Sequence, residues 1–254
     1  MMKNVICAIA RNEKKYIADF CNYHLNLGFD EIHIYDNGQN DFSPTDKRII
    51  VHPFTDFASK CPQLEAYKDF MKMVDYDWCA FIDIDEFITL DGYSKINDYL
   101  STIDKDVSAI KLFDKVYGDD GLITPKDEKV PVYDRIKNEY DVRFTVIGKY
   151  ITKKIPNMSF KSPHKIASSE NLKVVLSNGA VCDESKGRHY SSDLFKNCFI
   201  RHYHTKTLSE FCDQKLNTTR VFDQTKKRTI DYFFQVNEKT PEKIAYLKSR
   251  GIDA

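Results

Sequence analysis

What most constrains this chain is the alternation of strand-like and helix-like runs across its first ninety residues. Residues 5–10 (VICAIA) form a continuous apolar run of buried-strand length. Tyr16, Ile17, Phe20, Tyr23, His24 and Leu27 then recur at three- and four-residue spacing, and Gly28 stops the helix they imply. Residues 31–35 (EIHIY) alternate as a second strand, and Asp36-Asn37-Gly38 breaks it. Residues 49–52 read as a third strand. Residues 63–74 place Leu64, Tyr67, Met71 and Val74 on one helical face. Residues 78–82 (WCAFI) are a hydrophobic strand that runs directly into Asp83-Ile84-Asp85-Glu86-Phe87. Such alternation predicts an α/β fold, with a mainly parallel sheet covered by helices.

The remainder is less regular. A helix is expected over 94–103 and strands over 109–113, 142–151, 161–165, 174–176, 179–182 and 197–203. From Thr207-Leu208-Ser209-Glu210 a long helical tail is expected, capped by Thr207 or Ser209 with Glu210 in the first turn. Thr240-Pro241-Glu242 opens a last helix, with Pro at its first position. No repeat or linker composition divides the 254 residues. A single domain is expected, with a Rossmann-like nucleotide-binding half (1–90), a mixed acceptor half (91–205) and C-terminal helices (206–254).

Composition removes several function classes. Lys and Arg number 38 against 38 Asp and Glu, so no net basic field draws the chain to nucleic acid. Seven cysteines occur without a CxxC pair, which suits a reducing compartment and excludes a zinc ribbon. The apolar run near the N-terminus is too short for a signal or a membrane span, so a cytoplasmic location is expected. Neither GxGxxG nor GxxxxGK[ST] occurs, which disfavours a dinucleotide site and a P-loop.

Three polar clusters can carry chemistry. Asp83-x-Asp85-Glu86 follows a buried strand, and ligands of open α/β sheets sit at the carboxyl ends of strands. In an extended segment Asp83 and Asp85 would share a side and face one cation. Carboxylate oxygens with open positions suit Mg²⁺ or Mn²⁺. The plain alternative is a solvated acidic turn. Ala10-Arg11-Asn12-Glu13 lies at a strand-to-helix junction, where Arg11 and Asn12 can hold a nucleotide. The alternative is helix capping by Asn12. Arg201-His202-Tyr203-His204-Thr205-Lys206-Thr207 combines two imidazoles, either of which can ligate Mn²⁺, with a lysine for phosphate.

Taken in order, ARNE after the first strand, Ile34-Tyr35-Asp36-Asn37, Gln63, Ala66-Tyr67-Lys68-Asp69, residues 78–87 and His202-Tyr203-His204-Thr205-Lys206-Thr207-Leu208-Ser209-Glu210-Phe211 with Lys215 resemble GT-A glycosyltransferases of the family 2 and family 92 type. Thr207 stands where the family-92 pattern has Ser. The resemblance spans about residues 4–216. It implies a GT-A fold and a metal-dependent transferase moving a sugar from a UDP-sugar, UDP-galactose among the candidates. The acceptor it implies is a glycan or lipid-linked glycan, in bacterial surface polysaccharide synthesis. A lipid-linked acceptor would bring the enzyme to the inner membrane face.

By the same resemblance, Arg11, Asn12, Glu13, Asp36, Asn37 and Asp83 fall where the nucleotide is held. Asp83 and Asp85 match the metal-binding DxD, His202 falls at a third metal ligand ahead of His204, and Lys206 reaches the diphosphate. An inverting transferase also needs a base near the acceptor hydroxyl. Asp119, then Asp120, in Tyr117-Gly118-Asp119-Asp120-Gly121 are the candidates, against a plain Asp-Gly turn. His164 and Gln63 are candidates for the acceptor cleft. A non-catalytic nucleotide-sugar or glycan binder and a nucleotidyltransferase or phosphohydrolase are the competing classes.

Overall fold

The computed structural model describes residues 2–38, 40–55, 59–140, 148–168, 171–182, 191–219 and 227–253. In chain order the elements are β1 (Asn4–Ala10), α1 (Lys14–Leu27), β2 (Glu31–Asp36), β3 (Ile49–Pro53), α2 (Pro62–Met73), β4 (Trp78–Phe81), β5 (Glu86–Leu90), α3 (Ile96–Leu100), β6 (Ala109–Val116), α4 (Val132–Arg135), β7 (Gly148–Lys153), β8 (Ser159–Ser162), β9 (Lys165–Ala167), β10 (Val174–Leu176), β11 (Cys198–His202), α5 (Leu208–Gln214), α6 (Ile230–Phe234) and α7 (Pro241–Ser249). The α/β class, the helix-covered sheet and the C-terminal helices are those expected from the sequence.

The main sheet runs β3-β2-β1-β4-β7-β6-β11-β5, with β10 beside the first half of β6. β3, β2, β1 and β4 are mutually parallel. β7 enters antiparallel between β4 and β6, so the two halves read from the sequence share one continuous sheet. Every residue of β1 is buried because the strand feeds two cores. Ile6, Ala8 and Ala10 pack with Tyr16, Ile17 and Phe20 of α1. Val5, Cys7 and Ile9 pack with Ala66, Tyr67 and Phe70 of α2. A strand covered on both faces cannot alternate polar and apolar, which is why 5–10 reads as an unbroken apolar run. None of the seven cysteines is in a disulfide among the described residues, and five are buried.

Several expectations are corrected. Residues 161–165 do not form one strand; they hold the turn of the β8–β9 hairpin, where Pro163 interrupts pairing. Residues 179–182 make a turn and a single bridge between Val175 and Val181. The helix after Thr207 lasts only seven residues before Lys215 closes it. Thr207 is its cap, and Glu210 Oε2 accepts from Thr207 N–H at 3.1 Å and from its hydroxyl at 2.7 Å. The first part of the strand expected over 142–151 lies outside the described residues. Among the described residues no helix is long and apolar enough to cross a membrane.

Candidate functional site

Sheet polarity gathers the polar clusters. β1, β2, β4, β6 and β11 run the same way and end at one edge of the sheet, while β5 and β7 begin there. That edge therefore receives Arg11–Glu13, Asp36, Asp83–Glu86, Asp114, Lys149 and His202 from seven strands.

The acidic segment after β4 is a tight turn. Glu86 N–H donates to Asp83 O at 3.0 Å, and Glu86 Oε2 accepts from Asp83 N–H at 2.8 Å. Ile84 is buried at its centre. The segment is thus a turn and not the extended strand in which the two aspartates would alternate onto one side. Asp83 accepts from Gln63 Nε2 and pairs with Lys149 Nζ at 2.9 Å. Asp85 pairs with Lys215 Nζ and places its other oxygen 3.6 Å from His202 Nε2.

His202 is fixed from its far side, where Nδ1 lies 2.9 Å from Asp114 Oδ2. Glu86 Oε1 is 3.8 Å from the same nitrogen. β11 brings these groups together because His202 pairs with Glu86 on one flank and Val116 on the other. Burial alone would depress the imidazole; the Asp114 hydrogen bond and the charges of Asp85 and Glu86 overcome it and raise His202 to about 9. Burial works against the charge of Asp85 as well, yet Lys215, His202 and Lys206 hold it well below the usual carboxylate range. Glu86 responds the other way: burial dominates and pushes it up to about 8. His204 is turned toward Tyr232, and burial together with the neighbouring His202 holds it well below its ordinary value.

Two lysines complete the cluster. Lys149 is buried between Asp83 and Glu86. Burial would lower it, but those carboxylates raise it. Lys206 is also buried, 3.3 Å from Glu13 Oε2 and 4.0 Å above the Tyr16 ring. Its backbone is left-handed at φ 55°, a conformation that costs a non-glycine residue about 1–3 kcal/mol. Burial lowers its pKa.

The loops after β1 and β2 are tied to each other. Asp36 accepts from Gly38 N–H at 3.1 Å and Asn40 N–H at 3.1 Å. Asn40 in turn donates to Ala10 O and accepts from Glu13 N–H. Gly38 permits this approach, since a Cβ there would lie 3.2 Å from Arg11 Cα. Asn37 is buried and donates to Phe54 O. Arg11 reaches Thr219 Oγ1 at 3.4 Å. Asn12 is left-handed and exposed, and the α1 terminus has no side-chain cap. Capping therefore does not account for the polar residues of this junction.

His164 borders the cluster through Gly148 O, 3.0 Å from its Nδ1, and burial and Lys149 lower it to about 4. Asp119 and Asp120 are drawn elsewhere. Asp119 is buried against Lys243, and its backbone N–H donates to Asn237 Oδ1 at 2.6 Å. Asp120 accepts from the N–H groups of Lys137 and Asn138. In this structure both carboxylates hold the 117–121 loop to the fold.

The donor chemistry at Asp85 and His202 fits a divalent cation. The Asp114 contact occupies Nδ1 and leaves Nε2 facing a carboxylate oxygen, the arrangement of a metal-ligating histidine with a carboxylate behind it. Among the described residues no three His, Cys, Asp or Glu side chains close a metal cage. Two protein ligands with open positions suit Mg²⁺ or Mn²⁺, which fill the rest with water or phosphate oxygens. Asp83, held by Gln63 and Lys149, lies beside this pair. Lys149 and Asp114 were not anticipated as site residues; an acid closing strand 109–113 was a usable signal, whereas nothing local marks Lys149 as buried.

No family model matches this chain, and no curated protein matches it. Solved structures resemble it distantly. TarS 1–349 of S. aureus aligns at TM-score 0.41 and 17% identity, over 71% of this chain and 59% of that one. The same fragment in complex with UDP-GlcNAc aligns at TM-score 0.40 and 18% identity, over 76% and 63%. The bifunctional IspDF from Campylobacter jejuni aligns at TM-score 0.34 and 13% identity, over 60% and 41%. The alignment thus spans less than two thirds of the TarS fragment.

Proposed function

We propose that this chain is a GT-A-type glycosyltransferase that moves a sugar from a UDP-sugar to a glycan acceptor, with Asp85 and His202 holding Mn²⁺ or Mg²⁺. The observation that carries the reading is the convergence of Asp85, His202, Asp114, Lys206 and Lys215 at the carboxyl edge of the sheet. That edge is where open α/β sheets bind nucleotides.

Charge bookkeeping supports the same reading. Asp83, Asp85, Glu86 and Asp114 face Lys149, Lys206, Lys215 and His202, so the cluster is close to balanced by itself. A nucleoside diphosphate adds several negative charges. A divalent cation held by Asp85 and His202 would supply the missing positive charge for the departing diphosphate. Lys206 and Lys215 add fixed positive charge beside it, in a site already dry enough for that charge to count. Arg11, Asn12 and Glu13 with the Asp36–Asn40 loop form the nucleotide side of the edge, and Gln63, Lys149 and His164 around Asp83 form the other. Transfer with inversion requires a base on the acceptor; Asp119 is the first candidate and Asp120 the second, each of which would have to leave its present partner to act.

The test is UDP release from UDP-sugars, UDP-galactose included, with and without glycan acceptor across a Mn²⁺ titration. Metal-dependent release supports the proposal. UDP-sugar binding with no release under any acceptor would favour a non-catalytic binder, the reading in which Asp119 and Asp120 are purely structural and no base exists.

A further inference from the structure

The contact that decides how His202 can act is made by a residue outside the nucleotide elements. Asp114 lies on β6, paired in register with Ile200, and His202 is two residues further along β11 on the same face. The Asp114 side chain is 15% exposed and its Oδ2 is 2.9 Å from His202 Nδ1. To ligate a cation the imidazole must be neutral, its Nε2 proton released to solvent as the ion binds; it then has one N–H and one lone pair, and the partner of one nitrogen decides which is which. Asp114 accepts only, so the proton belongs on Nδ1 and the lone pair on Nε2. Nε2 is the nitrogen that faces Asp85 Oδ1 at 3.6 Å. Glu86 Oε1, at 3.8 Å from Nδ1, reinforces the same choice. Lys215 meanwhile covers the other oxygen of Asp85, which leaves Oδ1 as the oxygen turned toward the imidazole.

We infer that Asp114 is a positioning residue for a divalent cation: it sets the tautomer and the ring orientation of His202 so that Nε2 and Asp85 Oδ1 form a two-ligand seat. This rests on the metal-dependent reading above and states what Asp114, one of the groups converging there, does for the cation. A carboxylate behind a ligating histidine typically matters by about 10–100-fold in metal affinity.

The test measures Mn²⁺ binding alone, by the loss of the free-ion electron paramagnetic resonance signal, on wild type, Asp114→Asn, Asp114→Glu and His202→Ala. Asn keeps the shape of Asp but not its charge, so the fold has little reason to change. The expected result is Mn²⁺ binding by wild type, a loss of about 10–100-fold in Asp114→Asn and partial recovery in Asp114→Glu. His202→Ala should bind no better than Asp114→Asn. Unchanged affinity in Asp114→Asn overturns the inference while leaving metal dependence intact. Absence of Mn²⁺ binding by wild type, with and without UDP, overturns the metal reading and the inference with it. A loss in Asp114→Asn that Glu does not reverse and that tracks a lowered melting midpoint overturns it as well, since that is a folding defect.

Discussion

Lys149 shows how costly one residue at this edge becomes once its partners are fixed. Its ammonium is buried between Asp83 and Glu86. Truncating it leaves the buried Glu86 and the Asp83 carboxylate, whose side chain is 34% exposed, without their ammonium, a loss of about 1–3 kcal/mol once the solvent at Asp83 is allowed for. Lys149→Ala should therefore lower the unfolding free energy by that amount in urea titration. A loss under about 1 kcal/mol would mean the pair is solvated like a surface bridge. His24 provides a second single-residue test. It is wholly buried, with Nδ1 donating to Phe20 O and Nε2 accepting from Ile88 N–H, so it must stay neutral. Burial lowers it to about 3. The unfolded chain takes up this proton below about pH 6.5 and the folded chain does not, so stability is present above that pH and is lost as pH falls. His33 and His164, each lowered to about 4, act in the same sense. Between about pH 6.5 and 5, His24→Gln should show a shallower decline than wild type, by up to about 1.4 kcal/mol per pH unit. Equal slopes would show that His24 is not the group held neutral. Sequence could not announce either residue. His24 was read as one position on an apolar helix face, and Lys149 falls inside the strand expected over 142–151, whose pattern does not report its partners more than sixty residues away.

At the scale of elements, legibility tracked how many faces an element buries. β1, α1, β2, β3, α2 and β4 repeat the periods of a two-layered parallel sheet, and their bounds differ from the sequence reading by one or two residues. β5 was not anticipated because its first residue belongs to the acidic turn, which made the strand look like a continuation of a loop. Its antiparallel partner β11 lies more than a hundred residues away, a pairing that no local period reports. The insertion of β7 between β4 and β6 was hidden for the same reason. That insertion depends on Gly148, where a Cβ would lie 2.1 Å from Leu112 O. Gly148→Ala should force β6 and β7 apart at the site edge, with a loss of about 1–3 kcal/mol from overpacking. The displaced Lys149 should weaken UDP binding in calorimetry at the same time. A variant of wild-type stability and affinity would show that the close approach is not needed.

Across the whole molecule, the candidate site is a product of strand direction. The carboxylate cluster, the imidazole and the lysines come from segments that only the sheet brings together, and the motifs were legible because each sits at a strand end. Their mutual geometry was not: Asp83–Glu86 is a turn, and each of the two aspartates pairs with a different lysine. The central claim is that Asp85 and His202 seat a divalent cation that binds with the diphosphate of a uridine nucleotide. Isothermal calorimetry of UDP, with GDP and ADP alongside, with and without Mn²⁺, on wild type, Asp85→Ala, His202→Ala and His204→Ala tests it most directly. The account predicts Mn²⁺-dependent UDP binding by wild type, preferred over GDP and ADP. It predicts that this dependence is lost in Asp85→Ala and His202→Ala and retained in His204→Ala. UDP affinity that is indifferent to Mn²⁺ in wild type, or unchanged in both Asp85→Ala and His202→Ala, would contradict it.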